Sequence, residues 1–197
     1  MVPQPVNPPS TGWSLSLRLR DWQTLNAHLF QDDDEHGAVV LAEQVQGPRG
    51  PRLLARRVLL AKDGIDYVPG IHGYRALTAT FVRDCIDLAA SAEQVYLAVH
   101  NHDGRGRVSF SRTDLASHER GYPALRQITG QTVGAVVLAQ GAATGDLWLP
   151  DGSRVEFAEL VVAGNNLRRL RPHPSKQTPV VVAVDRSLLA GMGAQPR

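Results

Sequence analysis

One cysteine, two lysines and no long apolar run set the first limits on this 197-residue chain. Cys85, being alone, can form neither an internal disulfide nor a cysteine-based zinc site. It lies in a helix-like stretch, where a small buried hydrophobe is the default reading. No apolar segment approaches the roughly 20 residues that a membrane-spanning helix needs. The N-terminus lacks the basic-then-apolar layout of a secretory signal. Strong charge of one sign is missing too: Lys+Arg 21 against Asp+Glu 19 leaves +2. That balance gives little support to a nucleic-acid or anionic-membrane partner, although the sequence pI is about 9.0. These absences point to a soluble protein of a reducing, cytoplasmic setting. The length suits one compact domain with extra segments at its ends.

What is present reads as alternating strands and helices. Residues 1–12 are proline-rich, which predicts a disordered N-terminal segment. The stretch 13–19 alternates apolar and polar residues as a half-buried strand does, and 20–31 places Trp22, Leu25, Leu29 and Phe30 at helical spacing. The acidic run Asp32, Asp33, Asp34, Glu35 leads into an apolar strand from Gly37. A turn at 48–52 returns the chain as a hairpin over 52–61, and a loop follows to about residue 74. Helical periodicity runs over 74–93, a strand over 94–102, a second long helix over 112–128, and three further strands over 132–140, 146–150 and 154–162. The sum is a mixed α/β domain with one sheet, two or three helices and many hairpin connections.

The densest reactive cluster is HNHDGRGRVSFSRTD, from His100 to Asp114. Side chains two apart on a strand share a face, so His100 and His102 can converge on one ion. Zinc accepts imidazole nitrogen and carboxylate oxygen, and a catalytic zinc site uses three protein ligands and an open position. Asp114 is the natural third ligand. The bland alternatives are a hydrogen-bonded histidine pair and a helix cap, with Ser111 as N-cap and Asp114 at the third helical position. The cap and the ligand are compatible, because capping would hold Asp114 in place. His118 lies four residues on, on the same helical face, and reads either as support for Asp114 or as ordinary helix packing. His36 should point away from Glu35, while His28, His72 and His173 read as surface residues.

H-x-H, eight residues, then S-x-x-D resembles the signature of the JAB/MPN (JAMM) zinc metallopeptidases, which place a catalytic glutamate upstream at the start of a strand. Glu35 occupies that place here, and lies better than Asp34 or Glu43, the latter well along the strand. The resemblance covers roughly 13–165 and implies a JAB/MPN, cytidine-deaminase-like fold, a central mixed β-sheet flanked by helices. It implies that His100, His102 and Asp114 hold Zn²⁺, that Glu35 activates its water, and that Ser111 donates a hydrogen bond to the oxyanion. Many members carry proline after the second histidine, where this chain has Asp103 and Gly104.

Residues 166–197 read as a basic linker followed by DRSLLAGMGAQ, which resembles the opening of ThiF/E1-like adenylating domains. The implied function is hydrolysis after the C-terminal glycine of a ubiquitin-like protein, maturing a precursor or releasing a conjugate. The setting implied is a bacterial pathway with E1/E2-like enzymes and a link to antiviral defence. The alternatives are a hydrolase processing a sulfur-carrier protein, a non-catalytic scaffold module, and a DNA-linked relative that the balanced charge disfavours.

Overall fold

A computed structural model describes residues 12–69 and 75–172. The proposed disordered segment 1–12 (apart from Gly12), the ThiF-like stretch, His72 and His173 lie outside the described residues. Within them the order is β1 (Trp13–Arg18), α1 (Leu19–Leu29), β2 (Gly37–Gly47), β3 (Gly50–Leu60), α2 (Ala79–Ser91), β4 (Val95–Arg105), α3 (Arg112–Thr129), β5 (Val133–Gln140), β6 (Ala142–Trp148), β7 (Arg154–Ala163) and β8 (Arg168–Leu170). No described helix is long and apolar enough to cross a membrane.

The sheet is not the expected central layer between helices. Its strands run β1-β3-β2-β4-β5-β6-β7-β8, and β1 also pairs with β7. Both edges of β1 are therefore used: Leu15 faces Leu53 on one side and Leu160 on the other, both in parallel register. Seven strands close into a mixed barrel, and the short β8 pairs with β7 along residues 160–162, beyond the stretch of β7 that pairs with β6. Strand twist accumulates around a sheet, and pairing its ends removes the free edges that an open sheet would expose. The central-sheet reading of the fold is corrected on this ground.

Period-2 patterning sorts β4 cleanly. Val95, Leu97 and Val99 belong to a cluster with residues from all seven ring strands, including Leu15, Val40, Leu53, Val136, Leu147 and Phe157. Only the barrel interior adjoins every strand, so this cluster is the lumen. Trp22, Leu25 and Leu29 of α1 pack into it. Tyr96 points the other way, with Val39, Leu41, Val133 and Ala135, against Cys85, Ile86 and Ala89 of α2 and Tyr122 of α3. Cys85 is thus the buried hydrophobe its setting suggested, and burial pushes its thiol up to about 11.

Local details depart from the sequence pattern for identifiable reasons. Helix α2 begins at Ala79, not near 74, because Thr78 is its N-cap, accepting from the Phe81 N–H at 3.3 Å. Strand β8 falls in the stretch read as linker; its Leu170 is buried and Glu159 of β7 is paired with Arg169 and Arg171. Gly145 lies opposite Phe157, and a Cβ there would meet the ring at 1.6 Å, so the glycine makes room for the aromatic inside the lumen.

Candidate metal centre

Strand β4 continues its alternation to the site. With Tyr96 and Ala98 facing outward, His100 and His102 follow on the same outer face. His100 is fixed on both flanks, opposite Gly37 of β2 and Val137 of β5. Beyond His102 the chain turns through Gly104 and Gly106, with φ of 113° and 74°. Those left-handed conformations suit glycine and lead the chain back to the start of α3.

Ser111 caps α3 with both halves of a capping box. Its Oγ accepts from the Asp114 N–H at 3.1 Å, and its own N–H donates to Asp114 Oδ2 at 2.7 Å. The cap therefore fixes the carboxylate as well as the helix. Capping and ligand roles, posed as alternatives by the sequence, coincide in one side chain.

The three groups meet. His100 Nε2 and His102 Nε2 are 3.1 Å apart, His100 Nε2 lies 3.6 Å from Asp114 Oδ1, and His102 Nε2 lies 3.4 Å from Asp114 Oδ2. A tetrahedral ion with bonds of about 2.05 Å needs neighbouring donors about 3.3 Å apart. The observed edges scatter around that length, so this two-nitrogen, one-carboxylate group could hold a metal ion. Glu35 stands outside the triangle, its Oε1 3.7 Å from His102 Nε2.

The electrostatics keep Asp114 ionised beside the two imidazoles. Burial pushes the Asp114 carboxyl up, yet the bonds from His100, His102 and Ser111 outweigh it and hold the group far below the usual carboxylate range. The bond to Asp114 raises the His102 imidazole above its ordinary value against burial, and the charge of Glu35 adds to this. Glu35 itself is raised, first by burial, with His102 and His100 only partly offsetting that effect. A carboxyl tuned upward in this way is suited to take and return a proton.

The other described histidines, His28, His36 and His118, separate from the centre. His118 does not turn to Asp114: its Nδ1 bonds Asp146 at 2.8 Å, its ring stacks on Tyr122, and Asp146 is also held by Arg154 and the Trp148 indole. His36 is buried and bonds Asp32 at 2.7 Å, while Arg75 donates to its other nitrogen at 3.1 Å. His28, read as a surface residue, is half-buried and bonds the Gly37 carbonyl at 3.0 Å. Glu43 is exposed and paired with Arg56, away from the centre.

Three residues without a signal in the sequence brace the segment from Asp34 to Gly37. Asn101, the middle residue of H-x-H, is buried and binds the segment carrying Glu35. Tyr67 Oη accepts from the Gly37 N–H at 2.8 Å, and Arg75 lies over the Tyr67 ring. Only the position of Asn101 inside the motif could have drawn attention to it. A cleft of about 300 Å³ opens beside His102, lined by Gln31, Asp33, Asp103 and Gln140 among others. No family model and no curated protein matches the chain.

Proposed function

We propose that this chain is a zinc-dependent peptidase or isopeptidase that cleaves after the C-terminal glycine of a ubiquitin-like protein. The observation that carries the reading is the donor triangle of His100, His102 and Asp114 with Glu35 3.7 Å from its edge. Nitrogen and oxygen donors three in number match a catalytic rather than a structural zinc site. Zinc held there would supply a Lewis acid for the scissile carbonyl and lower the pKa of a water from 15.7 to about 7.

The chain's own groups divide the remaining work. Glu35 takes a proton from the attacking water and delivers it to the leaving amine, which its raised pKa suits. Ser111 uses an oxygen lone pair for the Asp114 N–H, so its hydroxyl proton is left for the carbonyl oxygen as charge develops there. Asp114 is held by the helix cap before any ion or substrate arrives, which limits reorganisation during the reaction. A glycine-ended tail suits a site bounded by strand ends, because it can lie extended with few side-chain clashes. The presence of all five groups favours an enzyme over a scaffold module.

The test is incubation of the zinc-loaded chain with ubiquitin-like precursors and conjugates joined through a terminal glycine, and in a parallel arm with tailed sulfur-carrier proteins. Cleavage after the glycine of the ubiquitin-like substrates, abolished by chelator and restored by zinc, is the expected result. Cleavage confined to the sulfur-carrier arm would reassign the substrate, and no cleavage in either would overturn the peptidase reading.

A further inference from the structure

Glu35 is not part of a β-ladder. Strand β2 begins at Gly37, and its pairing with β4 ends at the Gly37–His100 couple. Residues 35 and 36 have no regular structure, so something other than strand pairing must hold the general base over the donor triangle.

The side chain of Asn101 is placed to do this. It continues the inward series Val95, Leu97, Val99 on β4 and is 3 % exposed. Its Oδ1 accepts from the His36 N–H at 2.6 Å, and its Nδ2 donates to the Asp34 carbonyl at 3.3 Å. Those two backbone groups flank Glu35 on either side. One partner is a donor and the other an acceptor, so the orientation of the amide is fixed by the bonds. The amide thus stands in for a backbone peptide beyond the point where the strand pairing stops.

We infer that Asn101 is a positioning residue that clamps the backbone on both sides of Glu35 and so sets the distance between the base and the metal ligands. The ligands His100 and His102 point outward from β4 while Asn101 points inward, so one strand segment presents the ion-binding groups on one face and fixes the base from the other. A buried amide with a merely structural role could satisfy its two bonds on any neighbouring backbone. Here both fall on the peptides adjoining Glu35, whose carboxylate lies 3.7 Å from the triangle's edge. Displacing a reacting group by about 1 Å can cost about 10²-fold in rate, so such a clamp acts on turnover. The inference rests on the proposed metal centre with Glu35 as base.

The experiment compares wild type, Asn101→Ala and Glu35→Gln in the full chain, with readouts that do not all depend on cleavage. In Asn101→Ala the His36 amide should exchange about fivefold faster or more, having lost its acceptor. Zinc affinity should fall by less than the roughly 10-fold loss expected when a group that orients a ligand is removed. In ¹³C-glutamate-labelled, Co²⁺-loaded protein, the paramagnetically shifted resonance that disappears in Glu35→Gln should lose much of its shift in Asn101→Ala. With a cleavable substrate, kcat should fall about 10²-fold while KM holds within about twofold.

An unaltered His36 exchange rate, an unmoved Glu35 resonance, or zinc loss as large as in a ligand variant would overturn the clamp. If wild type cleaves nothing while Asn101→Ala still frees the His36 amide and shifts Glu35, the peptidase reading fails and the clamp stands. Should Asn101→Ala not fold, Asn101→Asp retains the Oδ1 acceptor without the Nδ2 donor and carries the same measurements. There the His36 amide stays protected and only the Glu35 resonance moves.

Discussion

Glu35 Oε1 lies 3.7 Å from His102 Nε2, and its side chain keeps 27 % of its exposure. It is therefore close enough to act on a water beside an ion and open enough for that water to arrive. This pair ties the proposed base to the donor triangle.

Glu35→Gln preserves size and burial and removes the proton-accepting oxygen. Zinc stoichiometry should be unchanged, because the three donors are untouched, while cleavage falls by about 10²–10⁴-fold. Calorimetric zinc titration and a cleavage assay on the same preparation check this. Retained turnover would place the base elsewhere.

Ser111→Ala separates a cap from a catalytic hydroxyl when Thr78→Ala is measured beside it. Each removes a side-chain N-cap, of α3 and α2 respectively, and each should cost about 1 kcal/mol in urea unfolding. Only Ser111→Ala should also reduce cleavage, by about 10²–10³-fold. Equal activity in the two variants would confine Ser111 to capping.

Asp146 predicts an acid limb of stability. Burial pushes its carboxyl up, but the bonds from His118 and Arg154 outweigh this and leave it below its ordinary 3.8. A group lowered in the folded state contributes stability that is present above the unfolded value and lost as pH falls through the folded one. The difference in urea midpoint between wild type and Asp146→Asn should hold steady above about pH 5 and shrink below about pH 4. A difference that persists unchanged to the acid end would show that the carboxylate charge is not what stabilises the fold.

Gly145→Ala tests the closed barrel. The added Cβ would sit 1.6 Å from the Phe157 ring, which fills the lumen from a neighbouring strand. Overpacking of this kind costs about 1–3 kcal/mol or more, so thermal unfolding should occur well below that of wild type. Adding Phe157→Leu should recover part of the loss. An unperturbed Gly145→Ala protein would mean that Phe157 does not occupy this space.

The local parts of the site were legible because each obeys a short-range period. Strand alternation put His100 and His102 on one face and the Ser111 cap placed Asp114 three residues on, while the link between the two came from the eight-residue spacing shared with the JAMM signature. The closure of the sheet was not legible. It depends on Trp13 meeting Phe157 and Leu15 meeting Leu160, pairings that join distant segments and leave no mark on either strand's own pattern. Apolar alternation in β1 reads the same whether one edge or both are paired. Gly145 fell in the connection read between the strands at 132–140 and 146–150, and the need for its missing side chain shows only with Phe157 beside it. Asn101 was hidden for a similar reason: an amide between two histidines carries no signal until the chain at 34–36 folds against it.

Zinc titration into metal-free protein, read by calorimetry on wild type and on His100→Ala, His102→Ala and Asp114→Asn, tests the centre most directly. One zinc per chain is expected in wild type and a large loss of affinity in each variant, with Glu35→Gln still binding one. A wild type that takes up no zinc in excess metal, or variants that bind it as tightly as wild type does, would contradict the proposed centre.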